Sequence, residues 1–273
     1  MPVIQYRPQQ YQKEVHDDPS RFRVIAAGRR SGKTTLAINE LIKYASSYPA
    51  SPDKAIPRSW YLCDTYKHAE QTAWKECLKY LPTEIIKSKN INKLQIELVN
   101  GHLIEFKGCE DPDKLRGVAL VFVVLDEYGF MRPEVWDEVV RPMLIDFKGR
   151  ALFIGTPGPD GCPHFYDLWK RGNKENEFFK SWMFFTIQNK EIPGIEKEIE
   201  EAKRTQPPDV FRREYEVDWG ATSGLIYDNF NYATHGVPDY KPEPSDFIVG
   251  SIDPGLHNPT AALLVAWRLD GTG

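Results

Sequence analysis

The residues best suited to phosphate chemistry sit in one stretch, Val24-Ile-Ala-Ala-Gly-Arg-Arg-Ser-Gly-Lys-Thr-Thr35. Gly28 and Gly32 would let backbone approach an anion closely, and loop N–H groups at a helix start favour negative charge there. Lys33 can reach the outer phosphates of a nucleotide, and the Thr34 hydroxyl can ligate Mg²⁺ held between them. The candidate cofactor-binding set is therefore Gly28, Arg29, Arg30, Ser31, Gly32, Lys33, Thr34 and Thr35. Ala27 takes the first position of the pattern, where glycine is usual. An ordinary glycine-bearing turn before a surface helix is the plain alternative. The Gly-Lys-Thr spacing between a strand and a helical pattern argues against it. The stretch reads as a nucleotide triphosphate site.

About one hundred residues later, Val118-Ala-Leu-Val-Phe-Val-Val-Leu-Asp-Glu127 ends an apolar run in two acids. Ligands of open α/β sheets bind at the carboxyl ends of the strands. Asp126 can hold Mg²⁺ through water there, and Glu127 can activate the attacking water. Two adjacent acids alone would suit a solvated turn; after a phosphate loop they point to hydrolysis. Gly155-Thr-Pro157 closes another apolar run, and Thr156 could sense the terminal phosphate. Upstream, Pro8-x-Gln10 places an amide that could read the adenine edge, although a polar residue on a surface helix fits equally.

These groups need a parallel sheet to hold them. Val24–Ala27, Ser59–Cys63, the run ending at Asp126, Arg150–Gly155 and Phe178–Phe185 read as strands. Continuous apolar character, rather than alternation, marks strands covered on both faces. Leu36 onward, Lys67–Tyr80, Pro133–Pro142 and Pro193–Arg204 read as helices. Leu94–Leu98 and Leu103–Phe106, joined through Asn100-Gly101, read as a hairpin elaborating the sheet. The fold class is α/β: a P-loop ATPase of the kind with an added strand and catalytic glutamate, its mainly parallel central sheet flanked by helices. Residues 1–219 form that domain, 220–245 a lid or linker rich in Gly, Pro, Asn and Tyr, and 246–273 a further strand pair.

The 273 residues carry a net charge of −4, which excludes a uniformly basic nucleic-acid binder but not a local basic face. Four scattered cysteines form no CxxC pair, so neither a zinc knuckle nor a disulfide framework is expected. No apolar run approaches membrane-spanning length, and the first residues lack a signal-peptide core.

The assembled pattern resembles the large terminase subunit of tailed bacteriophages. The resemblance rests, in order, on Gly28–Thr34, Leu115-Arg-Gly117, Val124–Glu127, Gly155-Thr-Pro157, Phe211-Arg-Arg-Glu-Tyr215 and Ile252-Asp-Pro-Gly255. It implies an ATPase driving double-stranded DNA into a procapsid, with ATP and Mg²⁺ as cofactors. It further implies Glu127 as base, Arg29 as stabiliser of phosphate charge, Arg116 in contact with the nucleotide or a neighbouring active site, Thr156 as the coupling residue and Gln10 as adenine reader. The implied partners are DNA, a portal protein, a small terminase subunit and further copies in a homo-oligomeric ring. The implied setting is the host cytoplasm, outside both the membrane and the mature virion. Residues 246–273 would begin a ribonuclease-H-like nuclease, with Asp253 its first metal-binding aspartate and the other acids beyond Gly273. One departure is Asp64, which stands where a proline often follows the second core strand. Two alternatives compete: a superfamily-two helicase, which needs a second RecA-like domain, and an ATP-gated assembly module with little turnover.

Overall fold

The computed structural model describes residues 6–174, 176–221, 241, 243–253 and 261–267. The chain divides into two compact units, Met1–Gly224 and Leu225–Gly273. The first is built on an eight-stranded sheet: β1 (Phe22–Ala27), β2 (Arg58–Cys63), β3 (Ile86–Asn90), β4 (Gln95–Leu98), β5 (Leu103–Gly108), β6 (Phe122–Asp126), β7 (Arg150–Gly155) and β8 (Phe179–Phe184). Their spatial order is β3-β4-β5-β2-β6-β7-β1-β8. From β5 to β8 every pairing is parallel, and only β3–β4 and β4–β5 are antiparallel. Strand β7 lies between phosphate-loop strand β1 and acidic strand β6.

Successive strand residues face opposite sides, so each central strand divides its apolar residues between two cores. Ile25, Ala27, Tyr61, Val124 and Ile154 join one; Val24, Ala26, Leu62, Leu125 and Phe153 join the other. The first face is covered by α2 (Lys33–Ser47) through Leu36, Ala37, Ile38 and Leu41. Beside it packs a helical segment of α3 (Tyr66–Ala69), a π turn (Glu70–Trp74) and α4 (Lys75–Tyr80). The second face is covered by a π-helical stretch, Val135–Val140, running into α5 (Arg141–Met143), and by α6 (Pro163–Asn173). Three further helices, α1 (Gln10–Asp17), α7 (Ile195–Thr205) and α8 (Pro208–Glu216), complete the unit.

A buried ion pair ties α2 to β1. Arg23 and Glu40 are both fully buried and bonded to each other, and Arg23 Nη1 donates to Val15 O at 2.7 Å. Burial alone would raise the Glu40 carboxyl; the His16 hydrogen bond and the Arg23 charge outweigh it and hold Glu40 down at about 2.

One expectation needs correcting. Strand β5 is no elaboration: it pairs in parallel with β2 from Arg58–Leu103 to Cys63–Gly108, so only β3 and β4 are added outside it. Pro142 lies in the continuous helical run 133–143, one residue before its end, so prolines bound that helix to within a residue.

The second unit contains an antiparallel pair, β9 (Phe247–Asp253) and β10 (Ala261–Trp267), with Phe247 opposite Trp267. Pro254-Gly255 and most of the expected 220–245 linker lie outside the described residues. Among the described residues, no helix is long and apolar enough to cross a membrane.

Candidate nucleotide site

The loop between β1 and α2 is fixed from outside by its carbonyls. Thr186 Oγ1 donates to Arg29 O at 2.7 Å and Asn189 Nδ2 to Arg30 O at 2.6 Å. Tyr11 Oη donates to Ser31 O at 2.8 Å and Gln12 Nε2 to Gly32 O at 3.2 Å. Four successive carbonyls are thus turned toward α1 and the chain after β8. The first N–H groups of α2, which have no intrahelical partner, stay available to an anion. Gly28 is required by contact: a Cβ there would meet Thr186 Oγ1 at 2.6 Å and Glu214 O at 3.0 Å. Gly32 is required by conformation, with φ +82° at the start of α2. Arg30, also left-handed at φ 59°, stores strain in the loop.

Asp126 ends β6 and is buried. Tyr61 Oη donates to its Oδ2 at 2.8 Å, and the Glu127 N–H donates to its Oδ1 at 3.0 Å. Burial, then the neighbouring Glu127 charge, pushes the Asp126 carboxyl up to about 6, against the opposing pull of Lys33, the Tyr61 hydrogen bond and His68. Glu127 follows in left-handed conformation, φ 52°, which turns the chain out of the sheet beside the loop. Its Oε1 lies 3.3 Å from Lys33 Nζ, and its Oε2 accepts from Thr156 N at 3.3 Å. Lys33 Nζ also donates to Thr156 Oγ1 at 3.4 Å, and that hydroxyl donates to Ala27 O at 2.9 Å. The phosphate-loop lysine, the second acid and the threonine after β7 therefore form one connected set.

The set opens into a cavity of about 830 Å³, lined also by Arg29, Arg30, Asp64, His68, Pro157 and Glu214. Thr34 and Thr35 line a separate cavity of about 530 Å³ with Gly32 and Lys33, and Thr35 Oγ1 donates to Glu76 Oε1 at 3.3 Å. Ser31 is buried beneath the loop, its hydroxyl without a hydrogen-bond partner. Arg29 is mostly exposed, and its guanidinium pairs with the Glu214 carboxylate of α8.

Two expected residues lie outside this cleft. Gln10 is exposed at the first position of α1; the amide that bonds the loop belongs to Gln12, while Gln9 Nε2 donates to Asn189 Oδ1 at 2.7 Å. Arg116 is outside the cleft, bonded to Asp113 at 3.1 Å and to Glu138 O at 3.1 Å. It borders a groove with Arg58, Val118, Ala119 and Asp146, at the amino ends of the strands rather than their carboxyl ends. Asp253, expected apart from the nucleotide site, is the last residue of β9 in the second unit. Sequence reading passed over Tyr61, Gln9, Tyr11, Gln12, Asn189 and Glu214. Only Glu214 had a signal, as part of Phe211–Tyr215.

The donors suit Mg²⁺. Asp126 is a buried carboxylate whose ionised form lacks full compensation, and Thr34 supplies a hydroxyl beside Lys33. Among the described residues no three His, Cys, Asp or Glu cluster as a metal cage. Magnesium bound with nucleotide needs only one or two protein ligands beside phosphates and water.

The fold and cradle define a P-loop protein with an additional strand beside the phosphate-loop strand. Residues 24–234 match the family described as terminase large subunit, T4likevirus-type, N-terminal. The chain belongs to the large terminase subunit family. It is 26% identical to the large terminase subunit of Thermus phage G20c over 88% of this chain and 56% of that protein. To the counterpart in Escherichia phage T5 it is 30% identical over 67% of this chain and 43% of that one. The chain thus spans about half the length of these curated relatives. The large terminase ATPase domain of Thermus phage P74-26 shares the fold, with a TM-score of 0.68, 24% identity, and coverage of 79% of this chain and 95% of that one.

Proposed function

We propose that this chain is the motor domain of a large terminase: it binds ATP with Mg²⁺, hydrolyses it, and uses the cycle to move double-stranded DNA into a procapsid. One observation carries this reading. The carboxyl ends of β1, β6 and β7 bring Lys33, Glu127 and Thr156 into a single hydrogen-bonded set beside the phosphate loop.

When bound, Mg²⁺ would neutralise charge on the β- and γ-phosphates, with Asp126 and Thr34 as its protein-side donors. The remaining work belongs to the chain. The loop N–H groups hold the phosphate tail, and Lys33 turns from Glu127 to the outer phosphate oxygens. That turn frees the Glu127 carboxylate to take a proton from the attacking water as its oxygen bonds to the γ-phosphorus and the bridging oxygen leaves with ADP. Thr156, touching both Lys33 and Glu127, carries the change to β7. Arg29, now on Glu214, supplies charge to the phosphates once released.

In the same reading, DNA, a portal protein, a small terminase subunit and further copies of the chain in a ring are the partners, in the host cytoplasm. Residues 246–273 would open a ribonuclease-H-like nuclease domain, with Asp253 as a metal-binding carboxylate in a longer chain. The test is ATP turnover with Mg²⁺, with and without double-stranded DNA, over a range of protein concentrations. Turnover that needs Mg²⁺ and rises with DNA is expected. Nucleotide binding without turnover under every condition would leave an assembly module instead.

A further inference from the structure

Asp64, the residue that departs from the pattern after the second core strand, faces the nucleotide cleft. Strands β2 and β6 are paired with Leu62 opposite Leu125. Asp64 follows two residues after Leu62, and Glu127 two residues after Leu125, so both leave the sheet at the same edge. Asp64 Oδ1 lies 2.6 Å from His68 Nδ1. Neither role expected of a helix-start acid explains this. Thr65, not Asp64, caps α3, accepting from His68 N at 3.2 Å, and Tyr66 N donates to Glu110 Oε1 at 2.7 Å. The Asp64 carboxylate is left to the imidazole.

The spacing 64, 68, 72 puts three polar side chains along one wall. All three line the cavity shared with Lys33, Glu127 and Thr156. Directly after Ala69 the helix widens into the π turn Glu70–Trp74, a local irregularity often found at functional sites. A carboxylate only accepts, so the Nδ1 proton points at Asp64, leaving Nε2 as the ring's remaining polar atom. Thr72 Oγ1 donates to the backbone carbonyl of His68 at 2.6 Å.

Resting on the nucleotide reading above, we infer that His68, oriented by Asp64, contacts the terminal phosphate of the bound nucleotide from the wall opposite the phosphate loop. The ring donates Nε2–H to a γ-phosphate oxygen and Nδ1–H to Asp64. Asp64 is then a positioning residue acting through His68. The pair distinguishes triphosphate from diphosphate, because ADP has no group in its reach.

Equilibrium binding of ADP and of the β,γ-imido analogue of ATP, each with Mg²⁺, tests this in the full chain. His68→Ala should weaken the analogue about tenfold, as loss of a charged hydrogen bond implies, and leave ADP within about twofold. His68→Gln, retaining a donor, should recover part of the difference, and Asp64→Asn should shift the same ratio in the same direction by less. Equal loss for both nucleotides would make the pair merely structural and overturn the inference. An unchanged ratio in a parent that binds both nucleotides would overturn it alone. A parent that binds neither would overturn the nucleotide reading with it.

Discussion

Lys33, Glu127 and Thr156 each have stated neighbours at the phosphate-loop edge, and those neighbours define what a substitution tests. Glu127 now shares Lys33 with Thr156, and it is the acid nearest the loop lysine. If Glu127 is the base, Glu127→Gln keeps shape and hydrogen bonding but cannot take a proton. It should bind ATP as the parent does and turn over roughly 10²–10⁴-fold more slowly, the usual contribution of a positioned base. Lys33→Ala should instead weaken nucleotide binding itself. Single-turnover hydrolysis alongside equilibrium binding separates the two, and parent-like turnover in Glu127→Gln would place the base on another residue. Glu127 and Lys33 were legible because their chemistry lies in short contiguous patterns. Gln9 and Gln12 were not: neighbouring amides are equivalent in sequence, and the choice is made by distant partners, Asn189 for Gln9, 180 residues away, and Gly32 O for Gln12. Tyr61 was equally hidden, since a hydroxyl on a buried strand looks apolar until the adjacent strand supplies Asp126.

The strands of the central sheet were readable because burial on both faces demands unbroken apolar runs. Strand β3 was not, because Ile-Lys-Ser-Lys-Asn lies at the sheet edge and is almost wholly exposed. Helix α6 escaped too: Pro163 opens it, and only Phe165, Leu168 and Gly172 mark its buried side. The parallel join between β5 and β2 is long-range, and a hairpin signal reports only the local turn. That join carries a titratable group. His102, just before β5, is buried, with Nδ1 donating to Tyr48 O at 2.8 Å and Nε2 accepting from Ser59 Oγ of β2 at 2.9 Å. Burial lowers it to about 4, with the Tyr48 carbonyl opposing, from an ordinary 6.5. Because the folded value is depressed, the unfolded chain takes the proton first. Stability from neutral His102 is present above about pH 6.5 and is lost as pH falls toward 4, by about 1.4 kcal/mol per pH unit within that window. His102→Asn should be less stable at pH 7.5, and its deficit should shrink by pH 5. Urea unfolding at the two pH values checks this; a constant deficit would mean that His102 does not titrate on unfolding.

At the scale of the molecule, the two arginines proposed to stabilise phosphate charge occupy different places. Arg29 belongs to the loop of its own site, although the Glu214 pair must open before it can act. Arg116 lies in the groove with Arg58 and Asp146, at the sheet edge opposite the cradle. Its contacts to Asp113 and Glu138 are half-exposed surface pairs, worth little in water and readily exchanged. Arg116 does not line the cleft of its own chain, so the ring proposal gives it to the cradle of another copy. This gives the ring proposal a consequence within one experiment. Arginines supplied across an interface are worth on the order of 10³–10⁵ in rate in related phosphoryl transfers. The isolated chain should therefore turn over slowly, with specific activity rising as protein concentration rises. Arg116→Ala chains have intact cradles but no donor, and Lys33→Ala chains have the donor but a damaged cradle. Each should be inactive alone. Mixed, the Lys33→Ala copies should present Arg116 to the cradles of the Arg116→Ala copies and restore part of the turnover. Recovery that grows with the mixing ratio would assign Arg116 to the neighbour's site. Failure to recover while the parent's activity still depends on concentration would confine Arg116 to its own chain and leave Arg29 as the arginine of the reaction.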